Sequence, residues 1–198
     1  PNRKVPEEPV LFMKPQTALL GHGQAIKIAN LDHRTDHEAE LAIIIGKTAR
    51  HVSEADALSY VAGYTVANDV SDRDLQKKDG QFIRAKGFDT YCPVGPWVET
   101  DIDISDLPVR SRVNGEPRQD QKTSSMLWNP AFLISYISGV MTLKPGDLIL
   151  TGTPAGVGPL KPGDTIEVEV TGIGTLSNPV EAAISSATAS TVADSSFP

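Results

Sequence analysis

Cysteine is almost missing from this chain, with Cys92 alone among 198 residues. An internal disulfide is therefore excluded and the usual marker of oxidising compartments is lost, so a cytoplasmic home is expected. Basic residues are also short, 18 Lys+Arg against 25 Asp+Glu, giving a net charge of −7. That balance argues against nucleic acid or an anionic membrane as a general partner, since both are bound through basic patches. An anionic substrate would need local cations or a metal to draw it in. No apolar run approaches the roughly 18 residues of a membrane span, and no signal peptide is visible. No G-x-S-x-G occurs, which leaves serine chemistry poorly supported. Cys92 precedes a proline in a setting suited to packing more than to reactivity.

What is present fits one domain with a real core. Branched residues make His37–Ile45 a strand, and "YTVAND" is a second one ending at Asp69. Between them "SEADALSYVAG" predicts a short helix with Ser53 as N-cap and Gly63 as stop. "SDRDLQKKDG" predicts a helical turn closing at Gly80, and "NPAFLISYISGVMTL" a helix with Asn129 as cap and Pro130 at its first position. Asn114-Gly115 marks a type I′ hairpin turn. "KPGDLI" and "KPGDTI" are two Pro-Gly turns leading into strands, and "TIEVEV" alternates as a half-buried strand should. Many short strands, few helices and no regular βαβ alternation predict a sheet-dominated α+β fold.

The stretch "HEAELAIIIG" poses the functional question. Residues two apart in a strand share a face, so Glu38 and Glu40 lie together ahead of Ala42 and Ile44. A solvated face would stay polar, but this one turns apolar at once. The pair can be an acid/base couple, an ion-pair site, a metal site or ordinary surface acids. If the strand ending at Asp69 is a neighbour, three acids meet. Two bare carboxylates about 4 Å apart repel by roughly 4 kcal/mol at an effective dielectric near 20, so three together call for a cation. Hard oxygen ligands without thiolate favour Mg²⁺ or Mn²⁺ over zinc, with Ca²⁺ also compatible. His33 and His37 would suit zinc only on a helix, and a strand begins there. "TGTPAGVGP" matches neither phosphate-binding fingerprint; it is either a tight glycine turn or a nest for an oxyanion.

In order along the chain, "PEEPVLFMKP", "HEAELAIIIGK", "GYTVANDVSDRDLQ", "RAKGFDTYCPVGPW", "VNGEPRQ", "MTLKPGDLILTGTPAGVGP" and "GIGTLSNPV" resemble the fumarylacetoacetate hydrolase family. The likeness is nearest to small bacterial hydroxyhepta-dienedioate isomerases, acylpyruvate hydrolases and oxaloacetate decarboxylases. It implies a mixed β-roll, a homodimer, and Glu38, Glu40 and Asp69 as ligands of Mg²⁺ or Mn²⁺. It implies Lys86 as the catalytic lysine beside the metal. Gln76, Thr90, Gly152 and Thr153 become substrate contacts, the last two forming a turn that holds a carboxylate. The substrate is then a small anionic 2-oxo acid or dicarboxylate, cleaved at a carbon–carbon bond through a metal-stabilised enolate. Arg73 keeps an open role, with Asp74 or Asp69 as structural partners.

Two departures stand out. Asp72 replaces the small residue expected between Ser71 and Arg73. Hydrolytic members also carry an "NYxxHxxE" stretch just upstream of the P-E-E-P region, whereas this chain begins at Pro1, and His22 in "LLGHGQ" lies in the wrong context to replace it. The expected layout is a catalytic domain over residues 1–181, with that lid region missing, and an Ala/Ser-rich flexible tail over 182–198. The sequence as it stands favours decarboxylation or enolising isomerisation over hydrolysis, which needs a base to activate water.

Overall fold

The structure is a computed structural model that describes residues 6–183. The strands, in chain order, are β1 (Leu19–Leu20), β2 (Ile26–Ile28), β3 (Thr35–His37), β4 (Ala39–Ile45), β5 (Val61–Asn68), β6 (Ser71–Asp72) and β7 (Cys92–Glu99). They continue as β8 (Pro108–Val113), β9 (Glu116–Lys122), β10 (Leu148–Leu150), β11 (Gly158–Pro159), β12 (Thr165–Val170) and β13 (Gly174–Ala182). Helices are few: α1 (Arg73–Asp79), α2 (Ile83–Lys86) and α3 (Pro130–Val140).

Two five-stranded sheets, ordered β1-β7-β5-β4-β10 and β2-β13-β12-β8-β9, pack face to face, with a small β11-β3-β6 sheet beside them. The alternation in "TIEVEV" works as read: Ile166, Val168 and Val170 are buried while Thr165, Glu167 and Glu169 face outward. They meet Leu41, Ile43, Ile45 and Val66 from the opposite sheet in one apolar core. At roughly 25 cal/mol per Å² of apolar surface removed from water, such side chains are what hold the two layers together.

The turn and cap signals are realised. Asn114 and Gly115 both adopt positive φ, 54° and 81°, and join β8 to β9. Asn129 accepts a hydrogen bond from the Phe132 amide (2.8 Å), and Pro130 opens α3. Gly80, with φ 66°, closes α1.

The helix predicted from Ser53 to Gly63 is a correction. Only a 3-10 turn forms, Ala57–Tyr60, and β5 already begins at Val61. Pairing decides it: Val61, Tyr64 and Val66 lie opposite Ile45, Ile43 and Leu41 in an antiparallel ladder, and that tertiary gain outweighs a weak local preference. Gly63 is a strand residue. A Cβ there would lie 2.6 Å from Val98 Cγ1 and 2.7 Å from the Glu99 carbonyl, so the glycine permits β7 to approach. Ala182 closes β13, and the tail expected over 182–198 otherwise lies outside the described residues beyond position 183.

Candidate metal centre and active site

The β4–β5 ladder brings the acids together. Ala39 pairs with Asn68, and the Asp69 amide donates to the Glu38 carbonyl (2.9 Å), so the residue after β5 lies against the residue before β4. One carboxylate oxygen from each of Glu38, Glu40 and Asp69 lies within 4.8 Å of the other two, and all three residues are buried. Burial, with the neighbouring Asp69 and Glu38 charges, holds the Glu40 carboxyl well above the usual carboxylate range.

Lys86 ends the short helix α2 and enters this cluster, 3% exposed. Its Nζ donates to Glu38 Oε2 (2.8 Å), Asp69 Oδ2 (2.6 Å) and Ser71 Oγ (2.7 Å). Burial alone would favour the neutral amine, but the Asp69 and Glu38 carboxylates outweigh it and raise the ammonium above the ordinary lysine value. These partners keep Lys86 a charged ammonium at the centre of the acids.

Arg73, whose role the sequence leaves open, pairs with Asp36 and Glu38 in place of Asp74 or Asp69. Its third arm donates to Gln76 Oε1 (2.9 Å), so Gln76 sits one helical turn away at the edge of the cluster. Asp72 stays out of the acid cluster. It caps α1 by accepting from the Asp74 and Leu75 amides, and its other oxygen is bonded to His33 Nδ1 (2.7 Å).

The glycine turn reaches the acids from the other side. The Gly152 amide donates to Glu40 Oε2 (2.6 Å), an orientation that relies on φ +93°, which side-chain-bearing residues rarely adopt. The Thr153 hydroxyl donates to the Ala39 carbonyl (2.9 Å). Thr90 stands at φ 71°, and its hydroxyl accepts from the Lys27 amide (2.9 Å), a contact that uses a lone pair and not the hydroxyl proton. A cavity of about 350 Å³ borders the turn, walled by Leu41, Val109, Met126, Trp128 and Thr153. Gly152, whose amide holds Glu40, lines it as well, so the cavity adjoins the acid cluster along the glycine turn.

Sequence reasoning missed Lys14. An extended arm crosses the cluster, with Lys14 Nζ donating to Asp69 Oδ1 (2.6 Å) and the Phe12 ring 4.8 Å from Lys86 Nζ. Its signal was faint: one lysine after the apolar run Val10–Met13 and before Pro15, with no local pattern to mark a partner. Gln119 was missed too. It is 1% exposed and touches both His37 and Thr153. Burial keeps the His37 imidazole below its usual pKa, hence neutral.

The donor set fits a hard divalent cation. It is all oxygen, buried and anionic, and among the described residues no ion pair reaches Glu40. The family profile described as Fumarylacetoacetate (FAA) hydrolase C-terminal matches residues 1–181. The chain belongs to the fumarylacetoacetate hydrolase family. Within that family it is 52% identical to a Mycobacterium marinum structure described as 2-hydroxyhepta-2,4-diene-1,7-dioate isomerase, at a TM-score of 0.87 over 89% of this chain and 70% of that one. It is 44% identical to oxaloacetate tautomerase fahd2, mitochondrial, of Xenopus laevis, over 90% of this chain and 60% of the relative. It is also 44% identical to the 2,4-didehydro-3-deoxy-L-rhamnonate hydrolase of a Sphingomonas strain, over 88% of this chain and 65% of the relative. The fumarylacetoacetate hydrolase fold is thus shown, and the relatives are enzymes of small organic acids. Among the described residues, no helix is long and apolar enough to cross a membrane.

Proposed function

We propose that this chain is a divalent-cation-dependent enzyme that moves a proton, or breaks a carbon–carbon bond, at the carbon next to the keto group of a small 2-oxo acid. The observation that carries the reading is the convergence of three buried acids and one buried, protonated lysine at a single point. Glu38, Glu40 and Asp69 would hold Mg²⁺ or Mn²⁺, which would supply Lewis-acid chemistry to a bound 2-oxo acid. Lys86 places a fixed positive charge, and a transferable proton, where negative charge develops as the bond breaks. Arg73 and Gln76 offer donors one turn apart on α1, suited to orienting a second anionic group. The arm bearing Phe12 keeps bulk water from one side of the ammonium.

Decarboxylation and tautomerisation of an oxaloacetate-like acid can be served by these groups alone. Acylpyruvate hydrolysis needs a water-activating base in addition. Dienedioate isomerisation draws on the same proton transfer. The test is a panel of oxaloacetate, acetylpyruvate, fumarylpyruvate and a homoprotocatechuate-pathway dienedioate, with and without chelator. Turnover of at least one should vanish on chelation and return with Mg²⁺ or Mn²⁺. Metal-free turnover at full rate would refute the reading. Failure of oxalate to bind the Mn²⁺-loaded chain would favour a cation that merely stabilises the fold.

A further inference from the structure

Ala39 lies between Glu38 and Glu40, and its two backbone polar groups are held by two side chains that are themselves hydrogen-bonded to each other. The Ala39 amide donates to Gln119 Oε1 (3.0 Å). Gln119 Nε2 donates to Thr153 Oγ1 (2.8 Å), and that hydroxyl donates back to the Ala39 carbonyl (2.9 Å). The ring is closed, and its directions are not arbitrary. A backbone N–H can only donate, so Oε1 must face Ala39. A backbone carbonyl can only accept, so Nε2 must face Pro154 O (2.8 Å) and Thr153 alike. The Thr153 hydroxyl has a single proton, and the Ala39 carbonyl takes it. Ser111 Oγ (3.0 Å) and His37 Nδ1 (3.2 Å) complete the surroundings of Oε1.

We propose that Gln119 is a positioning residue for the metal centre, acting through this ring on the two ligands that flank Ala39. The ring fixes the peptide that spaces Glu38 from Glu40. It also pins the turn whose Gly152 amide orients Glu40 Oε2. Outer-shell groups of this kind typically govern metal affinity by 10–100-fold when lost. The proposal rests on the metal-dependent reading above.

The decisive measurement is Mn²⁺ affinity, read from the electron paramagnetic resonance signal of the free ion, together with thermal melting in chelator. Gln119→Met in the full chain should bind Mn²⁺ about 10–100-fold more weakly. Thr153→Val should weaken it in the same sense, and Thr153→Ser, which keeps the hydroxyl, should restore it. A folded Gln119→Met chain with wild-type Mn²⁺ affinity overturns the proposal. So does a Thr153→Val chain that binds Mn²⁺ as tightly as wild type. Should Gln119→Met not fold, the Thr153 pair decides alone. If the wild-type chain binds no Mn²⁺, this proposal and the function above both fall; if it binds and the variants match it, only this one does.

Discussion

Lys86→Met keeps the length of the side chain and removes its charge. In the folded chain Nζ neutralises Glu38 and Asp69 from a position that is 3% exposed. Removing one partner of a buried pair costs about 3–5 kcal/mol, and here the three clustered carboxylates are left with two cations, Lys14 on Asp69 and Arg73 on Glu38. For a chain of this size about 1 kcal/mol moves the midpoint by roughly 2–4 °C, so melting in chelator should fall by about 6–20 °C. A divalent cation offers the same oxygens the charge that the ammonium supplied. At a hundred times its Kd, a ligand stabilises by about 2.7 kcal/mol. Mn²⁺ should therefore raise the melting temperature of Lys86→Met by more than that of wild type, because it no longer competes with the ammonium. Calorimetry of both chains, in chelator and in excess Mn²⁺, reads both effects. Turnover on the responsive substrate should fall even when the variant is fully metal-loaded. Equal melting of the two chains in chelator, or an equal Mn²⁺ shift in both, would refute the idea that Lys86 and the cation answer the same charges.

Other expectations follow from single contacts. Burial pushes the Cys92 thiol up to about 11, so about one molecule in a thousand is thiolate at pH 8. Thiol reagents should label the native chain slowly and the urea-unfolded chain at once; brisk native labelling would count against this. Asp36 is buried, which alone would raise its pKa, but its bonds to Arg34 and Arg73 outweigh burial and lower it. Its stabilising share is thus present above the unfolded-state value and disappears as pH falls through the folded one. Asp36→Asn should flatten the acid limb of a stability–pH curve and leave the neutral-to-alkaline limb parallel to wild type. Gly63→Ala should cost about 1–3 kcal/mol, because the added Cβ meets β7 backbone that cannot step aside. An unchanged denaturation midpoint would show that β5 and β7 can separate.

The parts of this molecule that are local were readable before any coordinates. The Asn114-Gly115 turn, the Asn129 cap with Pro130, and the Asp72-to-Gly80 helix depend on residues within a few positions of one another. The acid cluster was readable for a different reason. A charge pair at the mouth of an aliphatic strand conflicts with burial, and conflicts of that kind mark sites. The Ser53–Gly63 segment misled because its helix signals are genuine but weak, and pairing with β4 overrode them. Lys14 lies 55 positions from Asp69, and Gln119 lies 80 from Ala39. Nothing in the vicinity of either residue encodes that meeting, which only the assembled sheets create. Asp72 carried an acidic label and invited a place in the cluster, whereas its short side chain is better used on free helix amides.

The arm ahead of β1 has a consequence of its own. Lys14 is a latch fastened to Asp69, a carboxylate that an incoming ion would also claim. An ion at the acids would then compete with the latch. A protease offered the Mn²⁺-loaded protein should nick the stretch before Pro15 sooner than in the empty one.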